Sequence, residues 1–386
     1  MAFSDALHPF IATLREEIIA LRHDLHQHPE LSFQEFRTQQ LIMDYLQSLG
    51  LKPRKIAKTG VTVTLVGDRK GPTVALRADI DALPMPDESN VPYASINPGV
   101  CHACGHDAHT AILLGVAKTF CQHRDFAGEI ILIFQPSEEQ LPGGAPSVLE
   151  SGALEQAEAI FGLHVWQSLP FGVFATHEGA LMASPDDFTI TLHGKGGHAS
   201  MPYDTIDPII VAAAIIQSLQ TLISRTIRTE DAAVLSVTKI HAGTAMNVIP
   251  EVATLAGTLR TLDPVLRERL PKQMQTMVEH IASSYGARAE FTLTKGYPAL
   301  INDPLMATIA TNAATALFGE QRTWQTQPSM GGEDFAFYLE KMPGAFFFLG
   351  MGTEYAHHHP KFNADDAILE QGIQLMCEVA LQFLAK

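Results

Sequence analysis

The sequence predicts an α/β protein whose mostly parallel sheet carries helices on both faces, with a second domain inserted into the first. Short, continuously apolar segments alternate with helical segments, which is typical of a sheet buried on both faces. The chain has 386 residues, a length that favours two domains over one hydrophobic core. Residues 186–297 follow the order β-α-β-β-α-β instead, which is the order of a ferredoxin-like domain.

The first elements along the chain are predicted to be helices. Apolar residues recur at intervals of three and four between Pro9 and about His28, which predicts a helix that Pro29 ends. A second helix is expected over residues 34–49, where Gly50 closes it.

Four buried strands are predicted next, and polar side chains that can bind a metal follow each of them. The strands are expected over residues 73–78, 129–134, 159–163 and 344–350, with helices over 108–122, 147–152, 304–318 and 367–384. The polar groups that follow the strands are, in order, Asp79 and Asp81, Glu138 and Glu139, His164, and His357, His358 and His359. Ligands of open parallel sheets bind beyond the carboxyl ends of the strands. The shared position therefore predicts one site at that edge of the sheet.

The inserted segment is predicted to be a domain of its own. Its strands are expected over residues 187–193, 233–241, 253–261 and 289–295, and its helices over 207–225 and 264–284. Insertion at a surface point of a host domain is well tolerated. We therefore predict a metal-binding catalytic domain over residues 1–185 and 298–386 and an inserted domain over residues 186–297.

Composition excludes several classes of function. The formal net charge is −16, from 26 basic and 42 acidic residues, which argues against binding to nucleic acids or to anionic membranes. The longest apolar segments are expected to be too short or too interrupted to span a bilayer. Four cysteines in so long a chain do not make a disulfide framework, so a reducing, cytoplasmic location is expected.

Residues 101–109, Cys-His-Ala-Cys-Gly-His-Asp-Ala-His, form the densest run of metal-capable side chains. Cys104 and His106 lie two apart in a loop with a glycine, so both can face one site. Thiolate, imidazole and carboxylate together are ligands of zinc and similar divalent metals. Other interpretations remain open at this point. Cys101 and Cys104 could form a redox pair, the run could be a structural zinc knuckle, or the groups could simply be satisfied buried polar side chains.

Glu138 and Glu139 are adjacent carboxylates directly after a buried strand. Solvated loop glutamates are the commoner outcome for such a pair. The functional interpretation gives one carboxylate to a metal and makes the other a base that takes a proton from water. Two negative charges this close are costly unless a cation lies between them, so the metal and the glutamate pair support each other.

The remaining candidates each have an ordinary structural alternative. His164 is either a metal ligand at a strand end or a core histidine whose hydrogen bonds are made within the protein. At most one or two of the three histidines at 357–359 can reach a single site. Asp79 and Asp81 either bind metal, orient a metal-binding histidine, or form a turn before Pro84. His198 follows two glycines in the inserted segment and either donates to a developing oxyanion or belongs to a flexible loop.

Taken together, these motifs resemble those of the dinuclear-metal amidohydrolases and carboxypeptidases. The resemblance is to the branch with hippurate hydrolases, N-acyl-L-amino-acid amidohydrolases, N-acetyldiaminopimelate deacetylases and plant auxin-conjugate hydrolases. It extends almost from end to end of the chain, over Arg22–Phe33, Leu76–Met85, His102–Thr110, Gln135–Glu139, Gly162–His164, Gly194–Ser200, Asn247–Pro250, Gly332–Phe335 and His358–Phe362.

The resemblance implies a role for each matching residue. Cys104 would be a thiolate ligand, and the other ligands would be His106, Glu139, His164 and His358. Glu138 would be the general base, and Asp81 would support the metal centre. His198 would reach a substrate in the neighbouring subunit, and Asn247 would contact substrate. The family implies two divalent metal ions per subunit (zinc, or manganese, cobalt or nickel) and a homodimer formed through the inserted domain, which also acts as a lid.

Hydrolysis of N-acyl amino acids is the function that the resemblance implies, and two departures from the family pattern bear on it. Residues 140–144 replace a glycine-rich stretch after the glutamate pair, and His359 stands where Ser or Asn is usual. Because of the second departure, the metal-binding histidine could also be a neighbour of His358 in the sequence. A peptidase on the same scaffold, a non-catalytic metal-stabilised protein and a thiol redox protein remain as alternatives.

Overall fold

The computed structural model describes residues 3–385, which fold into two compact units. The first unit ends at Leu181 and continues over Ile301–Gln327 and from Asp334 onward, and the second is Met182–Leu300 with Pro328–Glu333. The predicted insertion, residues 186–297, lies within the second unit. The short segment before Asp334 also belongs to that unit, and no pattern in the sequence indicated this.

The helices and strands alternate along most of the chain. The helices are α1 (Phe3–Thr13), α2 (Arg15–Gln27), α3 (Phe36–Ser48), α4 (His106–Gln122), α5 (Ala145–Glu150), α6 (Pro208–Thr226), α7 (Pro264–Ser284), α8 (Pro304–Phe318), α9 (Ala336–Leu339) and α10 (Ala367–Leu384). The strands are β1 (Arg54–Ile56), β2 (Gly60–Val66), β3 (Arg69–Asp79), β4 (Ala127–Gln135), β5 (Ala159–Trp166), β6 (Phe174–Thr176), β7 (Gly179–Met182), β8 (Ser184–His193), β9 (Gly197–His198), β10 (Ala233–Ala242), β11 (Val248–Ile249), β12 (Val252–Thr261), β13 (Arg288–Thr294), β14 (Leu300–Asn302), β15 (Thr323–Gln325) and β16 (Gly344–Gly350).

The first unit is built on an eight-stranded sheet in the order β1-β2-β4-β3-β5-β16-β6-β15. Its four central strands, β4, β3, β5 and β16, are mutually parallel, which confirms the α/β prediction. Antiparallel pairs flank them, because β2 runs against β4 and β6 runs against β16. The sequence pattern did not predict the outer strands β1, β2, β6 and β15. Each central strand contains a continuously buried, mostly apolar segment because both faces of the sheet are covered; all seven residues of β16 are buried.

The predicted single helix from Pro9 to His28 is wrong. The structure has two helices, α1 and α2, and the chain between them turns at Leu14. The Leu14 N–H donates to the Ile11 carbonyl (2.9 Å), three residues back, and this tighter turn interrupts the α-helical pattern. Apolar spacing alone predicted one element because Ile11, Leu14 and Ile18 all face the same core.

Three helices share the same start signal. In each, a side-chain oxygen of an aspartate accepts a backbone N–H of the first turn, and a proline, which has no N–H to leave unpaired, occupies the first helical position. The pairs are Asp207-Pro208 before α6, Asp263-Pro264 before α7 and Asp303-Pro304 before α8. This local chemistry explains why the predicted starts of these three helices agree with the structure to within one residue.

The second unit has a four-stranded antiparallel sheet in the order β10-β12-β8-β13. With α6 and α7 the chain order is β-α-β-β-α-β, consistent with the predicted ferredoxin-like domain. By length and composition, α6 could cross a membrane, contrary to the expectation from the sequence. Its apolar residues include Val211, Ile215 and Leu219, which lie in the core of this unit. One face of α6 therefore packs into this core.

Candidate metal centre

A tight turn at Gly105 separates two of the metal donors in residues 101–109, Cys104 and His106. Gly105 has φ +90°, and a Cβ there would lie 2.4 Å from Val165 Cγ2, so both the backbone conformation and the available space require glycine. His106 begins α4 directly after this turn. The turn sets the positions of Cys104 and His106 on either side of the glycine.

The structure brings the five predicted ligands into one continuous cluster. The Cys104 Sγ lies 3.5 Å from His164 Nε2. The donor atoms lie within 4.8 Å of one another in each of three overlapping groups. These groups, together called the donor cluster below, are Cys104 with His106 and His164, Cys104 with Glu139 and His358, and His106 with Glu138 and Glu139.

Of the three consecutive histidines, only His358 joins the donor cluster. Its Nε2 lies 3.2 Å from Glu139 Oε1, and its backbone N–H donates to the Ala103 carbonyl (2.8 Å). His357 instead donates from Nε2 to the Val165 carbonyl (3.0 Å). His359 is exposed, and its Nδ1 accepts the Lys361 N–H (3.0 Å). The geometry thus selects the histidine that the sequence left uncertain by one residue.

Hydrogen bonds at Nδ1 leave the Nε2 atoms of two histidines available to a metal. His164 Nδ1 bonds to the Val165 carbonyl (2.6 Å), and His106 Nδ1 bonds to the Asp81 carbonyl (2.9 Å). A carbonyl can only accept, so Nδ1 carries the proton in both rings. Metal-binding histidines commonly donate their second ring N–H in this way, which fixes the ring and its tautomer.

The donor cluster fits a divalent cation. His106 Nε2 is buried without a hydrogen-bond partner, which is costly unless something else binds it. Burial raises the pKa of the Cys104 thiol, and the nearby carboxylates of Glu139, Glu138 and Asp79 raise it further. Negative groups thus crowd a small buried volume, and a bound cation would relieve the repulsion between them and bind the unpaired His106 Nε2.

Asp81 holds the backbone of the glutamate pair. Its Oδ1 accepts the Glu138 N–H (3.0 Å), and its Oδ2 accepts the Glu139 N–H (3.1 Å) and the Ser32 hydroxyl (2.6 Å). Burial alone would raise the pKa of Asp81, but hydrogen bonds and the nearby His106 lower it overall. Both carboxylate oxygens are therefore committed to the protein, which favours a supporting role for Asp81.

Asp79 and His109 form a second buried contact beside the cluster. His109 Nδ1 bonds to Asp79 Oδ1 (2.6 Å), and Arg77 Nη1 donates to Asp79 Oδ2 (2.7 Å). The Val165 N–H donates to His109 Nε2 (2.9 Å). The sequence pattern assigned His109 no role, although it lies one helical turn after His106 and the two rings are stacked with centroids 5.5 Å apart. That three-residue spacing at the start of α4 was the available signal.

The N-terminus of α4 is tied to α2 by a buried ion pair that the sequence pattern also did not predict. Arg22 Nε donates to Asp107 Oδ2 (3.0 Å), and His26 Nδ1 bonds to the same oxygen (2.9 Å). Arg22 also pairs with Asp366, just before α10. Arg22, His26 and Asp107 are almost completely buried. The sequence shows basic residues on α2 and one acidic residue, Asp107, directly after His106. Neither feature by itself indicates that these residues pair with each other.

A redox pair of Cys101 and Cys104 fits the structure poorly. Both cysteines are free. Cys101 is buried, and burial, with the charges of Asp87 and Asp107, raises the pKa of its thiol to about 12. Redox cysteines are instead typically accessible and have a lowered pKa.

His198 and Asn247 lie together in the second unit. Strands β9 and β11 pair His198 with Val248, and the Ala199 N–H donates to the Asn247 carbonyl (3.0 Å). Both residues are exposed. His198 Nδ1 lies 2.8 Å from the Ser200 hydroxyl and accepts the Ser200 N–H (3.2 Å). The two predicted substrate-contacting residues therefore share one surface of this unit.

Comparison with known proteins defines the class. Residues 75–382 match the model of peptidase family M20/M25/M40. The chain is 44% identical over 367 residues to an N-acetylcysteine deacetylase of Bacillus subtilis, covering 94% of this chain and 96% of that protein. It is 45% identical over 291 residues to an N-acyl-L-amino acid amidohydrolase of Geobacillus stearothermophilus, covering 75% and 79%.

A solved structure supports the same family assignment. The crystal structure of the Bacillus subtilis YXEP protein, described as a dinuclear metal binding peptidase from the M20 family, superposes with a TM-score of 0.86 at 39% identity, covering 97% of this chain and 99% of that one. The chain therefore belongs to peptidase family M20/M25/M40, and the family predicted from the motifs is confirmed. It is a hydrolase that acts on amide bonds.

Proposed function

We propose that this protein hydrolyses the amide bond of N-acyl amino acids and releases a carboxylic acid and a free amino acid. The observation that carries the proposal is the donor cluster, in which thiol, imidazole and carboxylate donors meet beside a second, adjacent carboxylate, Glu138. The names of the deacetylase and amidohydrolase relatives support this substrate class.

Cys104, His106, Glu139, His164 and His358 would hold two divalent metal ions. The dinuclear description of the related solved structure supports the number. When bound, such ions supply the Lewis acidity that polarises an amide carbonyl and lowers the pKa of a water molecule toward neutrality. Mixed sulfur, nitrogen and oxygen donors favour zinc, with manganese, cobalt or nickel as alternatives.

Glu138 is the proposed general base. Its side chain is almost completely buried, and Asp81 holds its backbone N–H, so the carboxylate is kept in a fixed place. Glu138 takes a proton from the attacking water and later gives it to the leaving nitrogen, so it ends the cycle unchanged. His198 is proposed to donate a hydrogen bond to the oxyanion, and Asn247 to contact the substrate.

A homodimer through the second unit is part of the proposal. Strand β10 lies at the edge of its sheet, and its residues from Thr238 to Ala242 are exposed. Ile240 is 52% exposed, and nearby Val248 and Met246 are exposed as well. An open edge with exposed apolar side chains is suited to pairing with a second copy of itself. Pairing of this kind is compatible with His198 reaching the site of the partner. The free cysteines fit a cytoplasmic location.

The proposal is tested on metal-reconstituted protein. Activity is measured on acetyl, benzoyl and longer acyl derivatives of several amino acids, with dipeptides in the same panel and metal stoichiometry on the same sample. Glu138→Gln should keep the metal content of the wild type and lose most of the turnover. Near-normal activity of this variant would refute the base assignment. Preferential cleavage of dipeptides would favour a peptidase, the class to which the Bacillus subtilis YXEP protein is ascribed.

A further inference from the structure

We infer that Glu35, a buried residue distant in sequence from every proposed ligand, is a positioning residue that sets the direction of Glu138 by fixing the peptide that precedes it. The inference rests on the proposed function, in which Glu138 is the base. Glu35 Oε1 accepts the Ser137 N–H (2.9 Å), and its Oε2 accepts the Thr59 hydroxyl (2.5 Å). Glu35 and Thr59 are both fully buried.

Ser137 needs such support because its backbone is in an unfavourable conformation. Its φ is +53°, in the left-handed region, which is unfavourable for an L residue with a side chain. Conformations of this kind persist only where the surrounding structure holds them. Since Ser137 directly precedes Glu138, a return of Ser137 to negative φ would turn the Glu138 side chain to a different direction.

Glu35 completes a row of acceptors along the glutamate pair. Three consecutive backbone N–H groups donate hydrogen bonds to buried carboxylates; they are those of Ser137, Glu138 and Glu139. Asp81 accepts the second and third of these bonds, and Glu35 accepts the first. Loss of Asp81 would free the base and a proposed ligand together. Loss of Glu35 would free the turn before the base and the Thr59 hydroxyl, but no proposed ligand.

The position of Glu35 is costly for folding. Burial and the nearby negative charge of Asp81 raise its pKa to about 7, so a charged carboxylate is disfavoured there. An apolar residue would avoid that cost but could not accept the Ser137 N–H. The contribution of the glutamate is therefore the bond to the Ser137 turn and not net stability.

The test compares Glu35→Ala with Glu35→Gln in the metal-loaded full-length protein. Glu35→Ala should lower kcat by about 10- to 100-fold with KM and metal content close to the wild type, because a base displaced by an ångström loses that much. Glu35→Gln should keep kcat within about 3-fold, because its amide oxygen can accept the same N–H while its amide nitrogen donates to the Thr59 hydroxyl.

Glu30 provides the matched control. It also accepts two backbone N–H groups, from Arg37 (3.0 Å) and Thr38 (2.8 Å), but these lie in the first turn of α3 and belong neither to the glutamate pair nor to the turn before it. Glu30→Ala should lower the stability while leaving kcat unchanged. If Glu30→Ala and Glu35→Ala have the same kcat when both are folded, Glu35 has no positioning role and the inference is overturned.

A rescue experiment separates positioning from general destabilisation. Ser137→Gly removes the side-chain penalty of positive φ. In the Glu35→Ala background it should recover part of the lost kcat, whereas a merely structural role of Glu35 predicts no recovery.

Failure of the proposed function is recognised separately. An inactive wild type, or an active Glu138→Gln variant, would overturn the proposed function. The inference is then decided by crystal structures of the Glu35→Ala and Glu30→Ala variants. Ser137 should leave the left-handed region only in the first of them, and an unchanged Ser137 in Glu35→Ala overturns the inference.

Discussion

His109 accepts a hydrogen bond from the backbone N–H of Val165 (2.9 Å), while the carbonyl of the same Val165 bonds to His164 Nδ1 (2.6 Å). The Val165 carbonyl also accepts His357 Nε2 (3.0 Å). One residue near the end of β5 thus links the proposed ligand His164 to two other histidines. Asp79 fixes the His109 ring from its other side (2.6 Å). We therefore expect His109 to orient His164 through the backbone, because both ring nitrogens of His109 are already bonded to the protein.

Removal of His109 should therefore weaken metal binding. In His109→Ala, the Val165 N–H loses its buried acceptor and the His164 ring loses part of its support. Metal affinity should fall by about 10- to 100-fold, as is usual when an outer hydrogen-bond partner of a ligand is removed. The metal affinity of the variant and of the wild type is measured by competition with a chromophoric chelator.

His280→Ala, at an exposed position on α7, is the control and should bind metal like the wild type. Wild-type affinity of the His109 variant would show that β5 holds His164 without help.

The parallel centre of the fold could be predicted from sequence because each central strand contains an apolar segment and each polar group lies at or after the carboxyl end of one of these strands. Three of the outer strands, β1, β6 and β15, could not be predicted. β1 has three residues and only Ile56 of them is buried, so it carries no alternation to detect. β6 and β15, also three residues each, are similarly too short to show a period. Their place in the sheet depends on pairing partners far away in sequence.

The site was predictable to the extent that its donors are chemically rare. Cys104 two residues before His106 is informative because few other functions use this combination, and the adjacent glutamates gain their meaning from it. Glu35 and Arg22 were not informative, because a glutamate before a helix or an arginine within one is usually a solvated side chain. Only the tertiary structure reveals that both are fully buried and which groups they contact.

Cys104 and Cys101 should respond differently to replacement by serine. Cys104→Ser removes a soft donor from the cluster and should weaken metal binding by at least about tenfold, or about 1.4 kcal/mol. In protein loaded with cobalt, the absorption band that thiolate ligation gives should disappear in this variant. Cys101→Ser, three residues away and outside the donor cluster, should retain both affinity and band. Equal losses in the two variants would favour a cysteine pair that acts as one unit.

His26 should make the stability of the protein depend on pH above neutrality. Its burial disfavours the charged ring, but the carboxylates of Asp107 and Asp87 outweigh burial and raise the pKa of His26 to about 9 from an ordinary 6.5. The folded state therefore holds this proton more tightly than the unfolded state. The resulting stabilisation is complete below about pH 6.5 and is lost as the pH rises through about 9.

The measurement is the difference in free energy of unfolding between wild type and His26→Gln, by urea titration with a chelator present. Other titrating groups cancel in this difference. It should fall by up to ~1.4 kcal/mol per pH unit between the two pKa values and level off above the upper one. A difference that stays constant from pH 6 to 10 would mean that His26 does not hold its proton in the folded protein.

The proposed dimer should depend on the edge strand β10. Ile240→Asp places a charge on this open edge, at a side chain that is 52% exposed, so it should leave the fold intact but make apposition of two edges unfavourable. Light scattering during size-exclusion chromatography should then report a monomer where the wild type is a dimer. Val265→Asp is the matched control, because Val265 is an apolar residue of the same unit, 73% exposed, on α7. If the control and not Ile240→Asp dissociates the dimer, the copies meet through the helices and the proposed role of the edge strand is wrong.

If His198 acts in the partner's site, the monomeric Ile240→Asp variant should also lose kcat. It should keep its metal, because the donor cluster lies in the other unit of the chain.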